Sequence, residues 1–373
     1  MKRYLWIFAV LPFLWSCIAE DRSACPQPRG VSVRMSVCPD PMTAVTHAAD
    51  EEAIRDLNLY LLDADRNVVL HRYQSSPTLR FECLPGDYLL RIAANMGRDT
   101  GDSPAWENLA VTHADDYDTL PMAYEGEVSI PSSDETVTLP TVEVQRVVAK
   151  VTYNISVAPD AGDIRLHSVQ PVNLPARMPV FDPGLRAAEY TAGEIVGSSS
   201  QTLTGTFYML PNLQGEVPSI ADQRDKGPAN APADATFLRI RALRGSKVLD
   251  YYIYPGGNNT SNFDIRANTH YRLDIMIRGD AEVDTRIRAY TVEVLCTPEA
   301  ALSNGFLLER QPMRLTLRLG GAYEETGVEA FVELKTGDVR YFGFEGQWGA
   351  VARTMEIRGP ENDYDIRYWP PSF

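Results

Sequence analysis

Five cysteines and five histidines are the side chains of this chain best suited to covalent or metal chemistry. The histidines His47, His71, His113, His167 and His270 never fall in the His-Glu-x-x-His spacing that sets two imidazoles on one helical face. No Gly-x-Ser-x-Gly elbow is present, and no glycine-rich loop joins a strand to a helix. The chain is therefore read as a non-enzyme. No Cys-x-x-Cys or Cys/His pair has a metal-ligand spacing, so no metal or diffusible cofactor is expected. Asp115, Asp116 and Asp118 lack the glycine and distal glutamate of a calcium loop and are read as a solvated acidic loop. What remains is thiol chemistry, and Cys17 has the distinctive setting. Lys2 and Arg3 precede an apolar run over residues 5–14. At about ten residues it has the length of a signal-peptide core and is too short to cross a bilayer.

That run ends in Leu14-Trp15-Ser16-Cys17, which resembles a bacterial lipobox, with Trp15 where a small residue is usual. The resemblance implies a diacylglyceryl group on the Cys17 thiol, cleavage between Ser16 and Cys17, and acylation of the new amine by a palmitate-type chain. This covalent lipid is the only non-protein group expected. Each buried methylene contributes roughly 0.8 kcal/mol, so two or three chains hold firmly where one holds marginally. Glu20 and Asp21 resemble the surface-export signal of Bacteroidota lipoproteins. The mature protein would then be a body tethered at its first residue.

The elements that follow must position whatever this tether carries. The formal charge of −15 excludes nucleic acid and anionic membrane surfaces as partners, because both need a basic face. After Cys17, the cysteines Cys25, Cys38, Cys83 and Cys296 allow two disulfides in three connectivities, or free buried thiols. A bond from Cys25 or Cys38 to Cys83 would staple the N-terminal segment to the first domain.

Runs of Val, Ile, Leu, Tyr and Thr separated by Gly, Pro, Asn and Asp make the fold class all-β. Val31, Val33, Met35 and Val37 alternate with polar residues and predict a first strand with one apolar face. Further strands are predicted over 54–62, 68–73, 79–83, 88–95, 127–130 and 136–139, with a Pro-Gly turn at Pro85-Gly86. Residues 96–118 are a polar insertion with room for one short helix, and 142–157 read as one long strand. From Pro159 the pattern restarts. Pro171, Pro175 and Pro179 make 169–181 extended but ill suited to the middle of a sheet. Residues 237–243 and 247–254 form a hairpin, and strands follow near 272–277 and 287–294.

At this point several phrases, in order, resemble one group. The start at Cys17, the segment 57–65, Leu84-Pro85-Gly86-Asp87-Tyr88, Ala93-Ala94-Asn95, and Gln145-Arg146-Val147-Val148-Ala149-Lys150-Val151 are similar to the fimbrial anchor lipoproteins of Bacteroidales. Residues 207–215, Tyr254-Pro255-Gly256-Gly257-Asn258-Asn259 and 263–271 continue the match. The resemblance is to the minor- and major-fimbrium anchoring subunits of the type V pilus and covers about residues 17–294. It implies tandem transthyretin-like antiparallel β-sandwiches and a lipid-tethered outer-membrane subunit that attaches the fimbrium and limits its length. Its partners would be a fimbrial stalk subunit, joined by strand exchange, and the outer membrane. In the stalk subunits a cut after an arginine removes a first strand; Arg29 and Arg34 are the candidates here.

The expected domains are a signal peptide at 1–16, a tether at 17–29, sandwiches at 30–158 and 159–296, and a small extra β domain at 297–373. That last segment departs from the resemblance. It leaves an accessory or tip fimbrial subunit, or a surface lipoprotein binding glycan or protein, as the alternative reading. Its aromatics Tyr341, Phe342, Phe344, Trp348, Tyr364, Tyr368 and Trp369 are read as core and interdomain packing rather than as a glycan platform.

Overall fold

The structure is a computed structural model that describes residues 29–40, 49–182, 184–198, 200–280 and 284–298. Beyond these it describes the strand segments 312–321, 329–333, 342–344, 347–348, 352–356 and 361–368. The expectations for 1–28, which include Ser16, Cys17, Glu20, Asp21 and Cys25, lie outside the described residues.

The fold is all-β. The first region contains β1 (Val31–Pro39), β2 (Leu57–Leu62), β3 (Val68–Gln74), β4 (Thr78–Cys83), β5 (Gly86–Ala94), β6 (Ala110–Thr112), β7 (Met122–Ile130), β8 (Val137–Thr138) and β9 (Val142–Arg146). Its sheet runs β3-β2-β5-β7-β9-β1-β4, with β8 beside β1. The start of β7 and the end of β9 pair only at Met122↔Arg146 and Ala123↔Gln145. The sheet therefore folds over at that corner into two layers. Val33, Met35, Leu59, Leu61, Ile92, Met122 and Val144 are buried together in one core.

The second region contains β10 (Ala149–Val157), β11 (Arg165–Val172), β12 (Leu174–Pro175), β13 (Arg177–Pro179), β14 (Tyr190–Thr191), β15 (Val196–Gly197), β16 (Thr202–Met209), β17 (Phe237–Arg244), β18 (Lys247–Ile253), β19 (His270–Ile277) and β20 (Ile287–Pro298). One layer is β16-β10-β19, and the other begins β15-β11-β17-β18-β20. The pairing repeats that of the first region. In each, the first strand lies between an antiparallel neighbour (β4, β16) and a parallel one (β9, β19). In each, the opposite layer runs in the same order, β3-β2-β5-β7 against β15-β11-β17-β18. β20 is an addition with no counterpart in the first region.

After β20 come β21 (Pro312–Gly321), β22 (Glu329–Glu333), β23 (Phe342–Phe344), β24 (Gln347–Trp348), β25 (Ala352–Glu356) and β26 (Glu361–Tyr368). β21, β26, β23 and β24 continue the second region's sheet in that order, while β22 and β25 pair with each other. Strands were expected at nearly all these places, but as a sheet of their own. Hydrogen bonding to the long β20 makes most of them an extension instead.

Other differences have physical reasons. All six residues of β2 are buried, although only Leu57, Leu59 and Leu61 face the core. The other face is covered by the loop after β5: Asn58 Nδ2 donates to the Arg98 carbonyl at 3.0 Å, and the Tyr60 hydroxyl reaches Thr100 and the Gly101 carbonyl. The Tyr60 ring stacks on His71 at 4.4 Å and meets the edge of Trp106 at 5.0 Å. No helix forms in that insertion; a single turn closes where Leu109 N–H donates to the Ala105 carbonyl. The stretch predicted as one strand over 142–157 breaks at Val147-Val148, where the chain passes from β9 to β10. Pro171 does sit in a strand, but β15 flanks β11 only at Ser168 and Val169, so the ring needs no donor on that side.

Candidate functional site

Among the described residues, no set of His, Cys, Asp or Glu is arranged to hold a metal ion. The feature with functional content is β1 and the groove it fills. Val31, Val33, Met35 and Val37 are buried, while Ser32 and Arg34 are exposed. Full burial of such side chains contributes on the order of 2 kcal/mol each. One edge of β1 pairs antiparallel with β4, from Val31↔Cys83 to Ser36↔Thr78. The other pairs in parallel, first with β8 at Val33 and Arg34 and then with β9 from Val37 to Pro39. The first strand of the described chain is thus an inner strand. Its loss would expose both ladder edges and the apolar floor beneath Val33 and Met35.

The chain leaving β1 is gripped at the junction of the two regions. Arg146, 1% exposed, donates from Nε to the Glu51 carbonyl at 3.1 Å and from Nη1 to the Asp40 carbonyl at 2.9 Å. Asn268 of the second region donates to Asp40 Oδ2 at 2.9 Å. Glu51 Oε1 accepts from Lys150 Nζ at 2.7 Å and from the Tyr208 hydroxyl at 2.6 Å. Burial alone would raise the Glu51 carboxyl. The hydrogen bonds from Lys150 and Tyr208, with the charges of Lys150 and Arg146, hold it below its usual range. Burial, reinforced by Glu51, pushes the Tyr208 hydroxyl well up. A three-rung pairing of β6 with β13 and the packing of Met178 and Val180 into the first core also tie the regions together.

The sequence pointed to β1 but not to this junction. Glu51 lies 95 residues from Arg146 and 99 from Lys150 along the chain. Only the fold brings them face to face. For the candidate cut sites the structure separates two cases. Arg29 precedes β1 and is exposed. The peptide at Arg34 lies within the ladder, where its carbonyl accepts from Leu139 N–H at 2.9 Å.

Cys38 and Cys83 are free thiols. Cys83 pairs with Val31 at one end of β1 and Cys38 lies at the other. Seven residues of strand between the two ends span roughly 23 Å, whereas a disulfide needs its Cα atoms within about 7 Å. A Cys38–Cys83 staple is therefore corrected to two separate thiols. Cys25, the other candidate partner, lies outside the described residues, as does the side chain of Cys296. Asp115 lies 3.7 Å from the His113 ring and is exposed.

The architecture is that of an all-β protein with two topologically equivalent sandwich regions. A family model described as a domain of unknown function (DUF4906) matches residues 207–275. No curated protein matches. Among solved structures, the chain is similar to the tip fimbrial protein Mfa3 from Porphyromonas gingivalis, with C-terminal truncation, at 14% identity. That match covers 79% of this chain and 100% of that one, with a TM-score of 0.48. A fimbrilin from Porphyromonas gingivalis is similar at 13% identity over 69% of this chain and 95% of its own, with a TM-score of 0.45. A fimbrial assembly protein from Parabacteroides distasonis is similar at 12% identity over 70% and 95%, with a TM-score of 0.42.

Proposed function

We infer that this chain is a structural subunit of a Bacteroidales-type fimbrium, anchored in the outer membrane by lipid on Cys17 and exposed at the cell surface. The filament attaches through strand exchange with a stalk subunit, and the tether limits its length by occupying one end of the polymer. The observation that carries this reading is the position of β1. An N-terminal strand placed inside a sheet, with apolar side chains alternating into the core, is the kind of element that main-chain pairing can exchange as a unit. Its support by Arg146, Asp40 and Asn268 suits an anchor, which has to keep the strand that joins it to its lipid. A cut at Arg29 or Arg34 would sever that link.

The experiment is deletion of the gene and, separately, Cys17→Ala in the fimbriated cell. Both strains should shed long filaments into the medium. Filaments that stay attached and unchanged in length in both strains would overturn the reading.

A further inference from the structure

The internal repeat exposes one unequal edge. In the second region, β18 is flanked by β17 on one side and by β20 on the other, from Lys247↔Thr291 to Tyr251↔Ile287. Its counterpart β7 is flanked by β5 along its whole length, but on the other side it meets β9 only at Met122 and Ala123. Among the described residues, no strand pairs with that edge from Tyr124 to Ile130.

Backbone alternation identifies the open groups. Val147 N–H donates to the Pro121 carbonyl, so Pro121 and every second residue after it face away from β5. The free donors and acceptors are therefore those of Glu125, Glu127 and Ser129. Beneath this edge lies a cleft of about 630 Å³ between β7 and the β8–β9 side. Apolar Met35, Leu90, Val128, Leu139 and Val142 line it, and Glu125, Glu127 and Glu143 stand at its rim.

The chemistry of the missing strand is written in the second region. There Arg241 of β17 faces Asp250 of β18 and binds it through Nε and Nη2, both at 2.8 Å. Arg91 of β5 faces Glu125 of β7 in the same way, with Nε donating to Oε2 at 2.5 Å. Glu125 is thus the counterpart of Asp250. The residue that β20 sets opposite Asp250 is Arg288, while Ile287 and Ala289 on either side pack on the second core. Tyr252 N–H donates to the Arg286 carbonyl, which puts Asp250 and Arg288 on a hydrogen-bonded rung of the ladder, the type Glu125 leaves open.

We propose that the open edge of β7 receives an extended strand from a partner fimbrial subunit, with a lysine or arginine opposite Glu125 and apolar residues on either side entering the cleft. The geometry repeats the covering of β18 by β20. This inference rests on the fimbrial reading for the source of the strand. It concerns an edge that is open while β1 stays in place, so the two can be tested apart.

The test places a photocrosslinking residue at exposed Glu127 of the full chain in fimbriated cells. The expected adduct joins a fimbrial subunit and maps by mass spectrometry to a segment of alternating apolar residues with a lysine or arginine. For the second measurement the crosslinker moves to Ser129. There Glu127→Pro, which removes an outward N–H that an edge strand can spare, should abolish the adduct. Glu125→Gln, which keeps the shape, should reduce it by roughly two- to fivefold. The proposal is overturned by no adduct, by an adduct to residues 41–48 or another part of the same chain, or by one that both variants leave unchanged. If the adduct is missing while deletion still releases filaments, the edge proposal alone fails. If deletion leaves filaments attached, the fimbrial reading fails.

Discussion

β1 and β10 occupy the same place in their two sandwiches, yet their pairing is unequal. β10 pairs from Ala149 to Ser156 with β16 and from Lys150 to Val157 with β19, two uninterrupted ladders. The chain is continuous at both its ends, through Val148 and Ala158. β1 has one such ladder, with β4. Its parallel side is divided between β8 and β9. Equal topology therefore does not give equal pairing.

The largest effect should come from removing each strand in turn. A chain beginning at Asp40 should be insoluble or aggregate through the open groove, and a synthetic peptide of residues 31–39 should restore a cooperative melt. Deleting 149–157 should not be rescued by its own peptide. Rescue of both, or of neither, as followed by circular dichroism and light scattering, would break the comparison.

The equivalent arginines sharpen it next. Arg241→Ala takes both guanidinium hydrogen bonds from Asp250, which is 0% exposed, at an expected cost of about 3–5 kcal/mol. Arg91→Ala leaves Glu125, which is 38% exposed and reaches water, so the loss should be about 1 kcal/mol from the pair. Arg91 also lies 4.4 Å over the Trp106 ring and 5.0 Å over that of Phe181, which adds a smaller packing loss. Urea denaturation of the two variants should show this order. Similar losses would mean that the open edge of β7 is as sheltered as the covered edge of β18.

Two buried groups should then make stability rise with pH in two separate windows. Glu51 at the junction is held below the ordinary carboxyl value of 4.5, so it adds stability above that pH and loses it as pH falls through the folded value. Glu51→Gln should flatten the acid limb of the stability curve. Among the described residues, no carboxylate pairs with Lys226, deep in the second region. Its ammonium donates to the carbonyls of Asn258 and Asn262, both at 2.8 Å. Burial pushes its pKa down to about 8 from 10.5. The unfolded chain then binds more protons than the folded one between those values, and stability should rise with pH across that window. Lys226→Met should remove the rise. An unchanged slope in either variant would assign the pH response elsewhere.

Much of the fold was legible along the chain because strand periodicity is local. Val31, Val33, Met35 and Val37 announced a one-faced strand, and the hairpin at 237–254 followed from its turn residues. Burial of both faces of β2 was not legible, because the cover comes from a loop some forty residues away, through Arg98, Thr100 and Trp106. The junction was hidden for the same reason. Asp40, Glu51, Arg146, Lys150, Tyr208 and Asn268 come from five separate stretches, and each reads as an ordinary polar residue in its own.

The sequence alone determined an all-β chain of net acidic charge, since both depend on composition or on neighbours a few residues apart. Only the tertiary structure decided that β1 is an inner strand, that Cys38 and Cys83 stand at its opposite ends, and that the C-terminal strands extend the second sheet. The physical reason is that strand partners are chosen by which backbone edges and apolar faces remain uncovered once all the others have paired. That choice is a property of the whole chain, and it is also what leaves the edge of β7 open.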